Sequence, residues 1–304
     1  MNTNTLIEVT VLPDNALQLT TLPTVHIASQ CEAVTASATV DVNGISFSIF
    51  AQKNPDSLMV CRTYHAEKNS YFEPVVAIPV NEPIDTLQGF YFGGQPWLLS
   101  YHHDADTVHF YRFDSEAVTI TPVTSIRVGK GFTTVQPLYY RNDVFFVAYN
   151  KDTGDVVKFQ IVAPAYSPLY AQKTWSATWA QGWTRFSFFR LGAENFFIKT
   201  NEKYLKVNID HFMDNIDQGS HPVLNQPASA EMLSLTKVQT FYDVHHNPYF
   251  FTYQPKGVMT FNRFDGDCEG WALMHTCQQA ANISLHHTAQ LEKRLLILML
   301  QSEG

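Results

Sequence analysis

Charge is scarce in this chain. Only 16% of its 304 residues are Asp, Glu, Lys or Arg, and 28 acidic residues outnumber 20 basic ones, for a net charge of −8. The basic residues are scattered and form no stripe that would neutralise phosphates. Nucleic acid is therefore excluded as a partner, and an anionic membrane surface is disfavoured. Cysteine is rare as well. Cys31, Cys61, Cys268 and Cys277 contain no CxxC pair and match no zinc spacing, so they read as buried free thiols. Long hydrophobic runs are missing. The longest near the C-terminus, residues 295–300, is far too short to span a bilayer, so no transmembrane segment is expected. The opening Met1-Asn-Thr-Asn-Thr5 has neither a basic stretch nor an apolar one. A Sec signal is thus not expected, and the expected location is the cytoplasm, or outside it by a non-Sec route.

Standard catalytic motifs are also absent. The chain has no Gly-x-Ser-x-Gly, no His-Glu-x-x-His, no Walker loop and no Gly-x-Gly-x-x-Gly. It lacks the Asp boxes of sialidases, the Trp-Asp ends of WD40 repeats and the motif set of kelch repeats. Long helical patterns are scarce, while Phe (22) and Tyr (14) are abundant, which points to β structure.

What is present is a repeat. Residues 85–101 lie over residues 133–149 without a gap, and residues 237–253 give a third copy. Turn signals fall at Asn43-Gly44, Gly93-Gly94, Arg141-Asn142, Gly192-Ala193, His246-Asn247 and Glu292-Lys293, about 50 residues apart. Each turn follows an alternating first strand and precedes a nearly continuous apolar second strand, such as Val144-Phe-Phe-Val147 or Tyr249-Phe-Phe251. Such runs belong to strands covered on both faces. A polar loop and a third strand follow. Fourth strands are looser, at residues 71–80, 117–128, 171–179 and 271–277.

Four strands in about 50 residues are the pattern of a propeller blade. The last repeat, residues 282–304, holds only a first and a second strand, and residues 1–30 supply one hairpin. Together they complete a blade. The expectation is an all-β, six-bladed β-propeller in one domain, residues 1–304, with four antiparallel strands per blade. The blades fall near 31–80, 81–128, 129–180, 181–229, 230–281 and 282–304 plus 1–30. N- and C-terminal strands pair in one blade to close the ring, which removes a pair of exposed edges.

First strands line the channel of a propeller. Gln88, Gln136 and Gln239 share one position there, with Ser187 in another copy. They either hold a polar ligand or bond to neighbouring blades. Tyr101, Tyr149 and Tyr253 share a second position, and Tyr91, Tyr139 and Tyr242 a third; both sets read as packing between blades. Histidines pair at 102–103, 245–246 and 286–287. The first pair, with Asp104 and Asp106, has the donor types of a metal site. Adjacent residues on a strand point opposite ways, however, so no metal ligand is assigned and no cofactor is implied.

Gly131-Phe-Thr133 and Gly182-Trp-Thr184 precede first strands of consecutive copies. Here the chain resembles the Gly-Trp-Thr blades of tachylectin-like and other bacterial lectin-like propellers. The resemblance implies that Trp183, with Gln181 and Arg185 nearby, stacks on a sugar; the alternative is a Trp that locks two blades. The expected function is a non-catalytic binding module, lectin-like or protein-binding, meeting a glycan or protein partner through its loops. Gln88, Gln136, Gln239, Trp183, Lys130 and His102 are the expected ligand-binding residues. The alternative is a hydrolase or lyase with a channel site, for which His286 or His287 would join Asp85 and a metal.

Overall fold

A computed structural model describes residues 5–22, 33–63, 72–140, 142–163, 169–212, 220–291 and 294–301. Cys31, Arg141 and the Glu292-Lys293 turn lie outside the described residues.

In chain order, β1 (Thr5–Val11) and β2 (Leu17–Leu22) come first. The first blade is β3 (Val34–Val42), β4 (Ile45–Gln52), β5 (Ser57–Thr63) and β6 (Phe72–Pro79). The second is β7 (Thr86–Phe92), β8 (Gln95–Tyr101), β9 (Thr107–Asp114) and β10 (Thr119–Arg127). The third is β11 (Thr134–Tyr140), β12 (Asp143–Tyr149), β13 (Asp155–Val162) and β14 (Tyr170–Thr178). The fourth is β15 (Trp183–Leu191), β16 (Glu194–Asn201), β17 (Lys206–Phe212) and β18 (Ser220–Pro227). A one-turn helix, α1 (Ala230–Leu233), leads to the fifth: β19 (Lys237–Tyr242), β20 (Pro248–Tyr253), β21 (Val258–Phe264) and β22 (Trp271–Gln278). Finally, β23 (Leu285–Leu291) and β24 (Arg294–Leu300) join β1 and β2 in the order β2-β1-β24-β23. This is the six-bladed, all-β propeller with terminal closure. Among the described residues no helix is long and apolar enough to cross a membrane.

Second strands are the core. Every residue of β20 is buried, and so are six of the seven in β12. Six apolar clusters fill the six junctions between blades, because each sheet packs both faces against neighbours. Outer strands are far more exposed: β6 exposes Glu73, Pro74 and Val75 in succession. In all five blades built from consecutive strands, the pairing of third and fourth strands carries a bulge, as between Pro122 and Thr124. Bulges increase local twist, which blurs the outer-strand pattern in the sequence.

The first strands crowd the axis. A Cβ on Gly89 would lie 2.3 Å from the carbonyl oxygen of Thr39, so only glycine lets β7 approach β3 this closely. The Asn43-Gly44 turn has φ of 51° and 78°, as a two-residue hairpin requires.

Candidate active site

The start of the first strand carries a recurring device. A side-chain hydroxyl donates to a carbonyl near the end of the second strand. Thr133 donates to Tyr149 at 3.2 Å and Thr184 to Thr200 at 3.4 Å, while the Thr35 hydroxyl keeps the same place, 3.5 Å from Ala51 O, but donates to Ile84 O at 2.5 Å. Thr236 donates to Tyr253 at 3.4 Å and Ser284 to Leu300 at 3.0 Å. The second blade departs from this ring. Its member is Asp85, whose backbone N–H still donates to Tyr101 O at 3.1 Å. An ionised carboxylate has no proton for that carbonyl. Asp85 Oδ2 instead accepts the His103 backbone N–H at 3.0 Å and meets His103 Nδ1, with His102 Nε2 at 3.5 Å.

The two adjacent rings thus converge on one carboxylate, contrary to the alternation expected of a strand. The reason is local. β8 stops at Tyr101, and the histidines enter a turn closed by Ala105 N–H donating to His102 O at 2.9 Å. The rings stack with centroids 4.8 Å apart. Asp85, not Asp104 or Asp106, is the carboxylate they meet. Asp104 instead approaches the far nitrogen of His103, with Oδ2 3.4 Å from Nε2. Burial alone would raise the Asp85 pKa, but the hydrogen bonds from His103 and the nearby imidazole charges outweigh it and hold the pKa below the ordinary range. The hydrogen bond to Asp85 raises that of His103.

A cavity of about 390 Å³ opens at this end of the channel, lined by Thr35, Ser37, Asp85, Gln88, Lys237 and Gln239 among others. Lys237 begins β19. Burial lowers its pKa, and among the described residues it is in no ion pair. His286 and His287 border the same cavity, but their rings leave it. The His287 ring packs on Phe50 (4.7 Å) and bonds through Nε2 to Ser48 Oγ at 2.8 Å. The His286 ring packs on Tyr253 at 4.4 Å in the opposite junction. Burial lowers the pKa of both to about 3, so they stay neutral and do not join Asp85.

The other expected site residues are dispersed. Gln88 and Gln239 line the cavity with Asp85. Gln136 donates from Nε2 to Pro137 O at 3.4 Å on its own strand and is not among the cavity-lining residues. Ser187 bonds to Thr240 of the next blade at 3.1 Å. Lys130 is exposed on the loop before the third blade. His102 lines a second cavity of about 350 Å³ with Ser100, His109, Tyr111 and Glu82, where Glu82 Oε2 lies 2.9 Å from His109 Nε2. Trp183 is only 7% exposed, with its ring 4.3 Å from Lys199 Nζ, which pairs with Asp210 at 2.8 Å. This is the blade-locking role, and such a ring has no face to offer a sugar. Sequence reasoning missed how Asp85 and the first histidine pair come together. The signal was the gapless repeat itself, which sets Asp85 over Thr133.

No family model matches the chain, and no curated protein matches it in sequence. Solved propellers are similar to it in shape. One, from Bacteroides fragilis and assigned as a 6-phosphogluconolactonase, is 12% identical with a TM-score of 0.54, covering 97% of this chain and 87% of that one. The periplasmic gluconolactonase of Pseudomonas aeruginosa is 10% identical with a TM-score of 0.53, covering 88% and 75%. An exo-β-1,3-galactanase of Phanerochaete chrysosporium is 6% identical with a TM-score of 0.52, covering 88% and 60%. At these identities the likeness is one of fold. The expectation of a non-catalytic, lectin-like or protein-binding module is nevertheless overturned. Its stacking residue is buried, and propellers named as lactonases are among the solved structures that share its fold.

Proposed function

We propose that this protein is a hydrolase whose site is the channel-mouth cavity, and that it opens the ring ester of a small anionic sugar-acid lactone. The observation that carries the reading is the exchange of a ring hydroxyl for Asp85 in a cavity that also holds Lys237. A volume of about 390 Å³ is in the range of small-molecule sites. The Lys237 amine, in no ion pair among the described residues, suits an anionic ligand, and the Gln88 and Gln239 amides suit hydroxyls. The likeness to lactonase propellers supports the same class.

In this reading Asp85, kept ionised and oriented by His103, takes a proton from water. The water oxygen bonds to the acyl carbon, the negative charge grows on the carbonyl oxygen near Lys237, and the ring C–O bond breaks. The departing oxygen takes up the proton, giving an open-chain hydroxy acid. The test is a pH-stat assay on sugar-acid lactones with and without phosphate. At least one should open above its spontaneous rate. Asp85→Asn should then lower kcat about 10²- to 10⁴-fold, while Lys237→Met should mainly raise KM. A panel with no turnover above background, or full activity in Asp85→Asn, sinks the reading.

A further inference from the structure

Two imidazoles and one carboxylate meet beside the channel mouth. Asp85 Oδ2, His102 Nε2 and His103 Nδ1 each offer one ligand atom, and donor atoms of the three side chains all lie within 4.8 Å of one another. We propose that Asp85, His102 and His103 bind a divalent transition-metal ion of the zinc type, with a position left open for water or substrate.

The donor set decides the class of ion. Two imidazoles and one carboxylate suit zinc and its neighbours, whereas calcium and magnesium require oxygen donors. Tetrahedral ligation at about 2.0–2.1 Å places ligand atoms roughly 3.3–3.4 Å apart. The 3.5 Å between His102 Nε2 and Asp85 Oδ2 already fits. The hydrogen bond between His103 Nδ1 and Asp85 lies where the ion would sit, so binding displaces the ring proton and opens the contact.

The surroundings are built for it. Asp104 Oδ2 stands 3.4 Å from the far nitrogen of His103, the carboxylate–histidine–metal arrangement that fixes ring orientation. Gly131 N–H donates to His103 O at 2.8 Å, which ties the histidine turn to the next blade. Just before the turn, Tyr101 is held by its hydroxyl donating to Gly129 O at 3.0 Å. One contact opposes binding. His102 Nδ1 accepts the Asp104 N–H at 3.3 Å, and ligation through Nε2 moves the ring proton to Nδ1, so this long bond is given up. Asp85 lines the channel-mouth cavity and His102 the second one, so an ion among them would lie between the two.

The inference deepens the hydrolase reading, on which its role in the reaction rests: with the ion bound, the metal rather than His103 would hold Asp85 ionised and in place, and the binding itself does not depend on that reading. The test is calorimetric titration of chelator-treated full-length protein with zinc chloride, and with calcium chloride as control. One zinc per chain and no calcium binding are expected. Asp85→Thr restores the residue type that the ring uses elsewhere, so this variant should fold and melt like the parent while losing the site. Asp104→Asn should weaken zinc about 10- to 100-fold. Cobalt added in place of zinc should give visible bands in the parent and none in Asp85→Thr. Zinc binding equal in the parent and Asp85→Thr, or none in either, overturns the proposal. Zinc binding at this site without lactone turnover would uphold the metal site and sink the hydrolase reading. Turnover that survives chelation, with no zinc taken up, would do the reverse.

Discussion

His286 and His287 sit side by side on β23 yet serve opposite junctions. Each is at most 7% exposed, and Nε2 of His286 has no hydrogen-bond partner among the described residues. Burial, with the charge of Lys237 adding to it, takes both pKa values down to about 3, against about 6.5 in the unfolded chain. The unfolded chain therefore binds protons between pH 6.5 and 3 that the folded chain refuses. Stability from these groups is complete above about pH 6.5 and falls as the pH drops toward 3, by up to about 1.4 kcal/mol per pH unit for each histidine. Urea midpoints measured from pH 7 to 4.5 should fall more steeply for the parent than for a His286→Asn/His287→Asn double variant. Parallel curves would show that the rings are not buried neutral.

At the scale of the element, two tyrosine sets join blade to blade. Tyr101, Tyr149 and Tyr253 close their second strands, and each hydroxyl donates to a carbonyl of the loop entering the next blade: Gly129 at 3.0 Å, Ala180 at 2.7 Å and Ala280 at 2.6 Å. Each also accepts a backbone N–H, from Phe132 at 3.2 Å, Trp183 at 3.3 Å and Ile283 at 3.1 Å. Tyr139 and Tyr242 reach the other way and accept N–H groups of the preceding first strands, from Tyr91 at 2.7 Å and Arg190 at 2.6 Å. Replacing Tyr101, Tyr149 or Tyr253 by Phe keeps the ring but strands a buried N–H donor and takes the hydroxyl from a carbonyl, so each should cost about 1–3 kcal/mol. Equal urea midpoints for parent and variant would show that the latch carries no net stability. These sets were legible as packing because the repeat aligns them. β18 was not legible, since Pro222 and Pro227 and the bulge opposite Ile209 and Asp210 erase its alternation. The Asp85 cluster was half legible: the exchange for Thr133 stood in the alignment, but the turn that swings His102 and His103 onto one carboxylate is a matter of backbone geometry. Trp183 misled for a related reason, because three residues of motif say nothing of what Lys199 and Phe197 bury.

At the scale of the molecule, ring closure is the one feature that every blade depends on. β1 pairs with β24 through Leu6 opposite Leu298 and Ile7 opposite Ile297, and Leu6, Ile7 and Val9 are each 1% exposed. They fill the junctions on both sides of the closing blade, with Phe241 and Tyr249 in one cluster and Phe50 and Cys61 in the other. Deleting residues 1–22 therefore opens two apolar junctions and leaves β24 as a bare edge. The expected outcome is loss of the cooperative melt of the whole ring, read by circular dichroism, rather than a small shift of its midpoint. The same geometry supplies the control. Thr5 lies opposite Met299, so the two ends can be joined by a short hairpin and the chain reopened in the exposed loop around Tyr204 and Leu205. That permuted chain keeps every strand pair and should melt like the parent. If it fails while the truncated chain still melts cooperatively, stability comes from the order of synthesis and local blade strength, and closure is not what holds the ring.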